Sequence, residues 1–149
     1  MPLRYGWTLT RQHWESFSVA VASHATSAWR RVALEEVNRD SVPARPGIYA
    51  ICAKVARSHQ GFPPRLDNVV YVGKAAALKT RFMDHCRHPA PEMQRAKTCF
   101  RFELDFWFIE CHAEAIAELE SLLIDCLGPS ANLVGGAIKA RIRPTPQPL

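Results

Sequence analysis

From Phe100 to Phe108 the chain alternates: Phe100, Phe102, Leu104, Phe106 and Phe108 share one parity, and Arg101, Glu103, Asp105 and Trp107 share the other. Period two marks a strand with one face on a core, so a half-buried strand with an aromatic inner face is predicted here. The period then changes. Across residues 113–127, Ala115, Ile116, Leu119, Leu122, Leu123, Cys126 and Leu127 gather on one arc of a helix that Gly128-Pro129 ends. Two shorter β-rich runs come earlier, 48–55 and 69–72, the second stopped by Gly73. Residues 75–85, rich in Ala, Leu and Lys with no breaker before Pro89, predict a further helix.

The first 46 residues show no strand-like alternation. Trp14, Phe17 and Val21 recur at helical spacing, and Trp29, Val32, Ala33 and Val37 do so again, which predicts one or two amphipathic helices packed on the remainder of the chain. Val42-Pro43-Ala44-Arg45-Pro46 is an extended lead-in, because each Pro removes a donor and biases its predecessor away from helix. Residues 56–67 collect Ser58, Gly61, Pro63 and Pro64 into a loop that is long for a hairpin. The expected organisation is an N-terminal helical extension over 1–45, a core domain over 46–134 and a basic, Pro-rich tail over 135–149.

At 149 residues, 48% of them hydrophobic and 22% charged, the chain has ordinary globular content and enough length for one core. Lys plus Arg outnumber Asp plus Glu by 19 to 14, a net charge of +5 that favours an anionic partner. No apolar run approaches the roughly 18 residues of a membrane span. The start Met1-Pro2-Leu3-Arg4-Tyr5 lacks a signal-peptide core, so a cytoplasmic protein without membrane contact is expected. Five cysteines, with no Cys-x-x-Cys pair, predict reduced thiols. A zinc set drawn from His85, Cys86, His88, Cys99, Cys111 and His112 matches no common ligand spacing.

Candidate chemistry comes from polar groups set near apolar faces. In the later helix Glu114, Glu118 and Asp125 fall on the solvent side, whereas Glu120 stands at the margin of the arc, four residues after Ile116 and three before Leu123. A carboxylate there is paired, bound to a cation or open to a cleft; a surface Glu with its head in water accounts for it equally well. In the earlier helix Leu78, Arg81, Phe82 and His85 share a face, which aims a guanidinium and an imidazole near the core side. Arg81 suits a phosphate, Glu120 suits Mg²⁺, and His85 or a tyrosine suits proton transfer, the ingredients of metal-assisted phosphodiester hydrolysis. Arg81 pairing with Asp84 or Glu120, a helix-end His85 and two ordinary strand tyrosines, Tyr49 and Tyr71, remain the plain alternatives.

Gly47-Ile48-Tyr49 and Tyr71-Val72-Gly73, followed by Lys74, by Arg81 eight residues after Gly73 and by His85 four further on, resemble the GIY-YIG endonuclease family. Glu120, Leu123, Ile124, Pro129 and Asn132, the last twelve residues after the Glu, resemble that family's closing motif. The resemblance spans residues 46–134 and implies an α/β (α+β) fold, a small central three-stranded antiparallel sheet flanked by helices. It implies a divalent-metal-dependent DNA endonuclease: Glu120 binding Mg²⁺ or Mn²⁺, Arg81 holding the scissile phosphate, and Tyr49 positioning or deprotonating the attacking water. Tyr71 and His85 would assist orientation and proton transfer, Gly73 and Lys74 would meet the substrate, and Asn132 would brace the site. The spacing between Tyr49 and Tyr71 is longer than in compact members. The N-terminal extension is expected to serve a homodimer or a targeting partner. A catalytically silent nucleic-acid-binding or protein-interaction module on the same fold is the competing expectation.

Overall fold

The computed structural model describes residues 11–54, 69–91, 93–95 and 103–127. Among them four strands form one antiparallel sheet: β1 (Arg30–Ala33), β2 (Gly47–Ala53), β3 (Val69–Ala75) and β4 (Leu104–Glu110), in spatial order β1-β4-β2-β3. Helix α1 (Arg11–His24) and helix α3 (Ile116–Leu127) cover one face, and α2 (Leu78–Arg87) covers the other. Asn132, the loop over 56–67 and the tail over 135–149 lie outside the described residues. No described helix is long and apolar enough to cross a membrane.

The sheet corrects the three-stranded expectation. The second N-terminal helix predicted from Trp29, Val32, Ala33 and Val37 is instead β1 followed by a 3₁₀ turn over Glu36–Ser41. Four residues carry no readable period; what makes them a strand is the open edge of β4, which they pair from Arg30↔Phe108 to Ala33↔Asp105. Their two arginines leave on opposite faces. Arg30 lies over the Phe108 ring at 4.8 Å and Arg31 over Trp107 at 5.5 Å, cation–π contacts that cap both sides of β4.

Strand β4 is buried on both faces rather than half-buried. Phe106 and Phe108 belong to the cluster under α2, as predicted for the aromatic face. Trp107 and Ile109 belong to the cluster under α1 and α3, so the opposite parity is covered too. Central β2 is buried at all seven positions, which explains its weak alternation: a strand with helices on both faces has no polar side to show. Phe17 of α1 enters the same cluster as Leu119 and Leu123 of α3, with Trp14 and Val21 packed beside it as their spacing predicted. Cys52, Cys111 and Cys126 are buried and, with Cys86, free of disulfides.

Gly73 does not stop β3. The strand continues to Ala75, still paired through Tyr49↔Gly73, Ile48↔Lys74 and Gly47↔Ala75, and α2 begins only at Leu78. The later helix is preceded by a 3₁₀ turn over Ala113–Ala115, and its α-helical part begins at Ile116.

Candidate active site

Register sets the first part of the site. Tyr49 in β2 stands opposite Gly73 and Ile51 stands opposite Tyr71, so both tyrosines project on the face that α2 covers. A Cβ on Gly73 would collide with the ring and hydroxyl of Tyr49. The missing side chain is therefore a packing requirement: it lets the Tyr49 ring lie across β3. That ring stacks on Phe106 at 4.9 Å and an interplanar angle of 21°, and neighbours Tyr71 at 6.1 Å.

Helix α2 supplies the next groups. Leu78 and Phe82 anchor it in the core, which brings His85, one turn after Phe82, over the tyrosines. Tyr49 Oη and His85 Nε2 share a hydrogen bond of 2.8 Å, and the His85 ring lies edge-on to Tyr71 at 5.1 Å. Tyr49 is 0% exposed and Tyr71 is half-buried, so solvent meets Tyr71 first. Arg81 is exposed at the margin and pairs with Asp84 at 3.7 Å, one of its plain alternatives. Its charge is nevertheless felt by both Tyr49 and His85.

Burial sets the protonation states. It raises the Tyr49 phenol well above its ordinary value, helped by the neighbouring Tyr71, while Arg81 pulls the other way. Burial, then the charge of Arg81, lowers His85 to about 4 against the opposing effect of Asp84. Near neutral pH the pair is thus a phenol hydrogen-bonded to an uncharged imidazole.

Glu120 arrives by another route. It lies on α3, on the opposite side of the sheet from α2, with buried Leu119 and Leu123 beside it and its own side chain 20% exposed. Glu114, Glu118 and Asp125 are exposed, as their helical positions predicted. Lys74 pairs in register with Ile48, whose side chain belongs to the cluster under α3, and its Nζ reaches Glu120 Oε1 at 3.4 Å. Since β3 is the sheet's edge among the described strands, the tyrosine–histidine group and the Lys74–Glu120 pair flank one edge strand from its two faces. The charge of Glu120 still bears on the Tyr49 hydroxyl.

No family model matches the chain, and no curated protein matches it. Solved structures do. The likeness is to GIY-YIG endonuclease domains. The N-terminal GIY-YIG endonuclease domain of UvrC from Thermotoga maritima, bound to magnesium as its catalytic divalent cation, is 19% identical with a TM-score of 0.41, over 64% of this chain and 92% of that one. A point variant of the same domain, also bound to its catalytic divalent cation, is 22% identical with a TM-score of 0.42, over 66% of this chain and 97% of that one. A GIY-YIG likeness at this level says nothing of chemistry, which the side chains themselves must supply.

For a cation they supply one carboxylate. Among the described residues no group of three or more His, Cys, Asp or Glu side chains gathers. A single half-buried carboxylate beside a basic margin fits Mg²⁺ or Mn²⁺, hard ions that keep most of their water and take one or two carboxylates together with substrate oxygens. Two features escaped the sequence reading: the Phe106 platform under Tyr49, flagged by alternation only as core, and β1, which carried no signal.

Proposed function

We propose that the protein is a divalent-metal-dependent DNA endonuclease that hydrolyses phosphodiester bonds at the edge of β3. The carrying observation is the 2.8 Å hydrogen bond between a buried Tyr49 and His85, with Tyr71 at its open side, Arg81 at its margin and Glu120 across the strand. A buried tyrosine–imidazole pair has no structural need of an exposed guanidinium and a half-buried carboxylate beside it; a phosphodiester site uses all of them.

Arg81 binds the scissile phosphate through its planar fork, exchanging Asp84 for a phosphate oxygen. As the attacking water forms its bond to phosphorus, its proton passes through the tyrosine pair, Tyr71 on the solvent side and Tyr49 behind it, to His85 Nε2 in the Nδ1-protonated tautomer, while the scissile P–O bond breaks and the leaving oxygen takes a proton from solvent. Arg81 is one reason that His85 is a weak base in the free protein. A bound phosphate offsets that charge, so the imidazole becomes more basic when substrate is present. Glu120 would hold Mg²⁺ or Mn²⁺, which when bound would supply charge stabilisation to the phosphoryl oxygens. Lys74 adds a phosphate contact.

The test is cleavage of duplex, branched and single-stranded DNA by the purified chain with Mg²⁺ or Mn²⁺. Glu120→Ala should reduce cutting on the order of 100-fold or more, the scale of losing several kcal/mol of charge stabilisation, while DNA binding persists. If all three DNAs stay intact with a folded protein, the enzyme reading fails. Salt-sensitive DNA binding without cleavage would then identify a silent binding module.

A further inference from the structure

We propose that Lys74 is a positioning residue that holds the Glu120 carboxylate in the cation-free protein and competes with the divalent cation for it. This rests on the reading of Glu120 as the cation ligand.

Glu120 is half-buried at the margin of the apolar cluster. Leu119 and Leu123 are fully buried next to it and its own side chain is 20% exposed, so a cationic partner there is favourable. Among the described residues Lys74 is the ion-pair partner, at 3.4 Å. That is long against the roughly 2.7–2.9 Å of a tight charge-assisted bond. The Lys74 side chain is also close to half exposed, so the pair is loose enough to yield to a doubly charged ion.

The arrangement has a use. β3 fixes the Lys74 backbone by pairing with Ile48, so the ammonium cannot leave the neighbourhood when the carboxylate is taken. Its four-carbon stem lets it swing toward an incoming phosphate instead. Cation entry thus releases a positive charge next to where the substrate's negative charge arrives.

The test is Mn²⁺ titration by calorimetry on the full chain without DNA, so that turnover plays no part. Lys74→Gln should tighten Mn²⁺ binding roughly 2- to 5-fold, the range expected for losing a partly exposed ion pair. Lys74→Arg, which keeps the charge, should stay near wild type, and Glu120→Gln should abolish binding. Lys74→Met, which keeps the stem, gives the same comparison should Gln disturb the strand; circular dichroism checks each fold. Equal or weaker Mn²⁺ binding in the folded Lys74→Gln and Lys74→Met proteins, with binding still lost in Glu120→Gln, overturns the competition and leaves the ligand reading standing. Mn²⁺ isotherms indistinguishable between wild type and Glu120→Gln sink both.

Discussion

His85 is held uncharged by two causes that can be separated. Burial is the larger, and Arg81 is the second, with Asp84 opposing. Removing the guanidinium in Arg81→Gln should therefore raise the His85 midpoint, and Asp84→Asn should lower it further, both readable by NMR titration of the ring protons. The same shift makes a stability prediction. Its folded value of about 4 lies below the ordinary 6.5, so between those values the unfolded chain takes up a proton that the folded chain refuses. The His85 contribution is complete above pH 6.5 and is lost as pH falls toward 4. Urea unfolding at about pH 7 and about pH 5 should show a loss on acidification that is smaller in His85→Asn. At this scale the sequence was partly legible. The margin of the apolar arc singled out Glu120, and the i, i+3, i+4 face grouped Phe82 with His85. The contact between Tyr49 and His85, 36 residues apart, depends on how α2 is laid across the sheet, and no local pattern contains that.

Among the elements, β3 is where site and sheet constrain each other most tightly. Its sequence suggested a strand cut short by glycine, yet pairing runs on through Lys74 and Ala75. The glycine is there because the Tyr49 ring occupies the space above it. Gly73→Ala should destabilise the fold by about 1–3 kcal/mol, the usual cost of overpacking, measured by chemical denaturation. It should also displace the Tyr49 hydroxyl from His85, visible as a change in the His85 titration; an unchanged titration would mean that the ring simply slides. The period-two stretch was legible as a strand, but its burial was not. Trp107 looked like part of an outer face, and it is the cluster under α1 and α3 that makes it interior.

For the whole molecule, the decisive question is whether the residues before Arg45 are an accessory or part of the fold. Composition and spacing made them look like helical cover, since four residues of β1 show no period of their own. In the sheet they pair with β4 along Asp105–Phe108, and two arginines cap its aromatic rings. Farther back, Phe17 fills the cluster between β2, β4 and α3 at 1% exposure. The segment is tied in by polar contacts as well: Arg30 bridges to Glu110 at 2.7 Å, and Thr26 N–H donates to the Glu110 carbonyl. Removing it would bare the edge of β4, a row of unpaired backbone groups beside Phe106 and Phe108, together with the apolar face that α1 covers. Phe17→Ala alone should cost about 3–5 kcal/mol. A chain shortened to begin at Arg45 should therefore fail to give a cooperative thermal transition and should aggregate on gel filtration, although it keeps every residue assigned to the site. A monomeric, cooperatively melting product that still binds Mn²⁺ would show that residues 46–134 fold alone and that the N-terminal segment is an attachment.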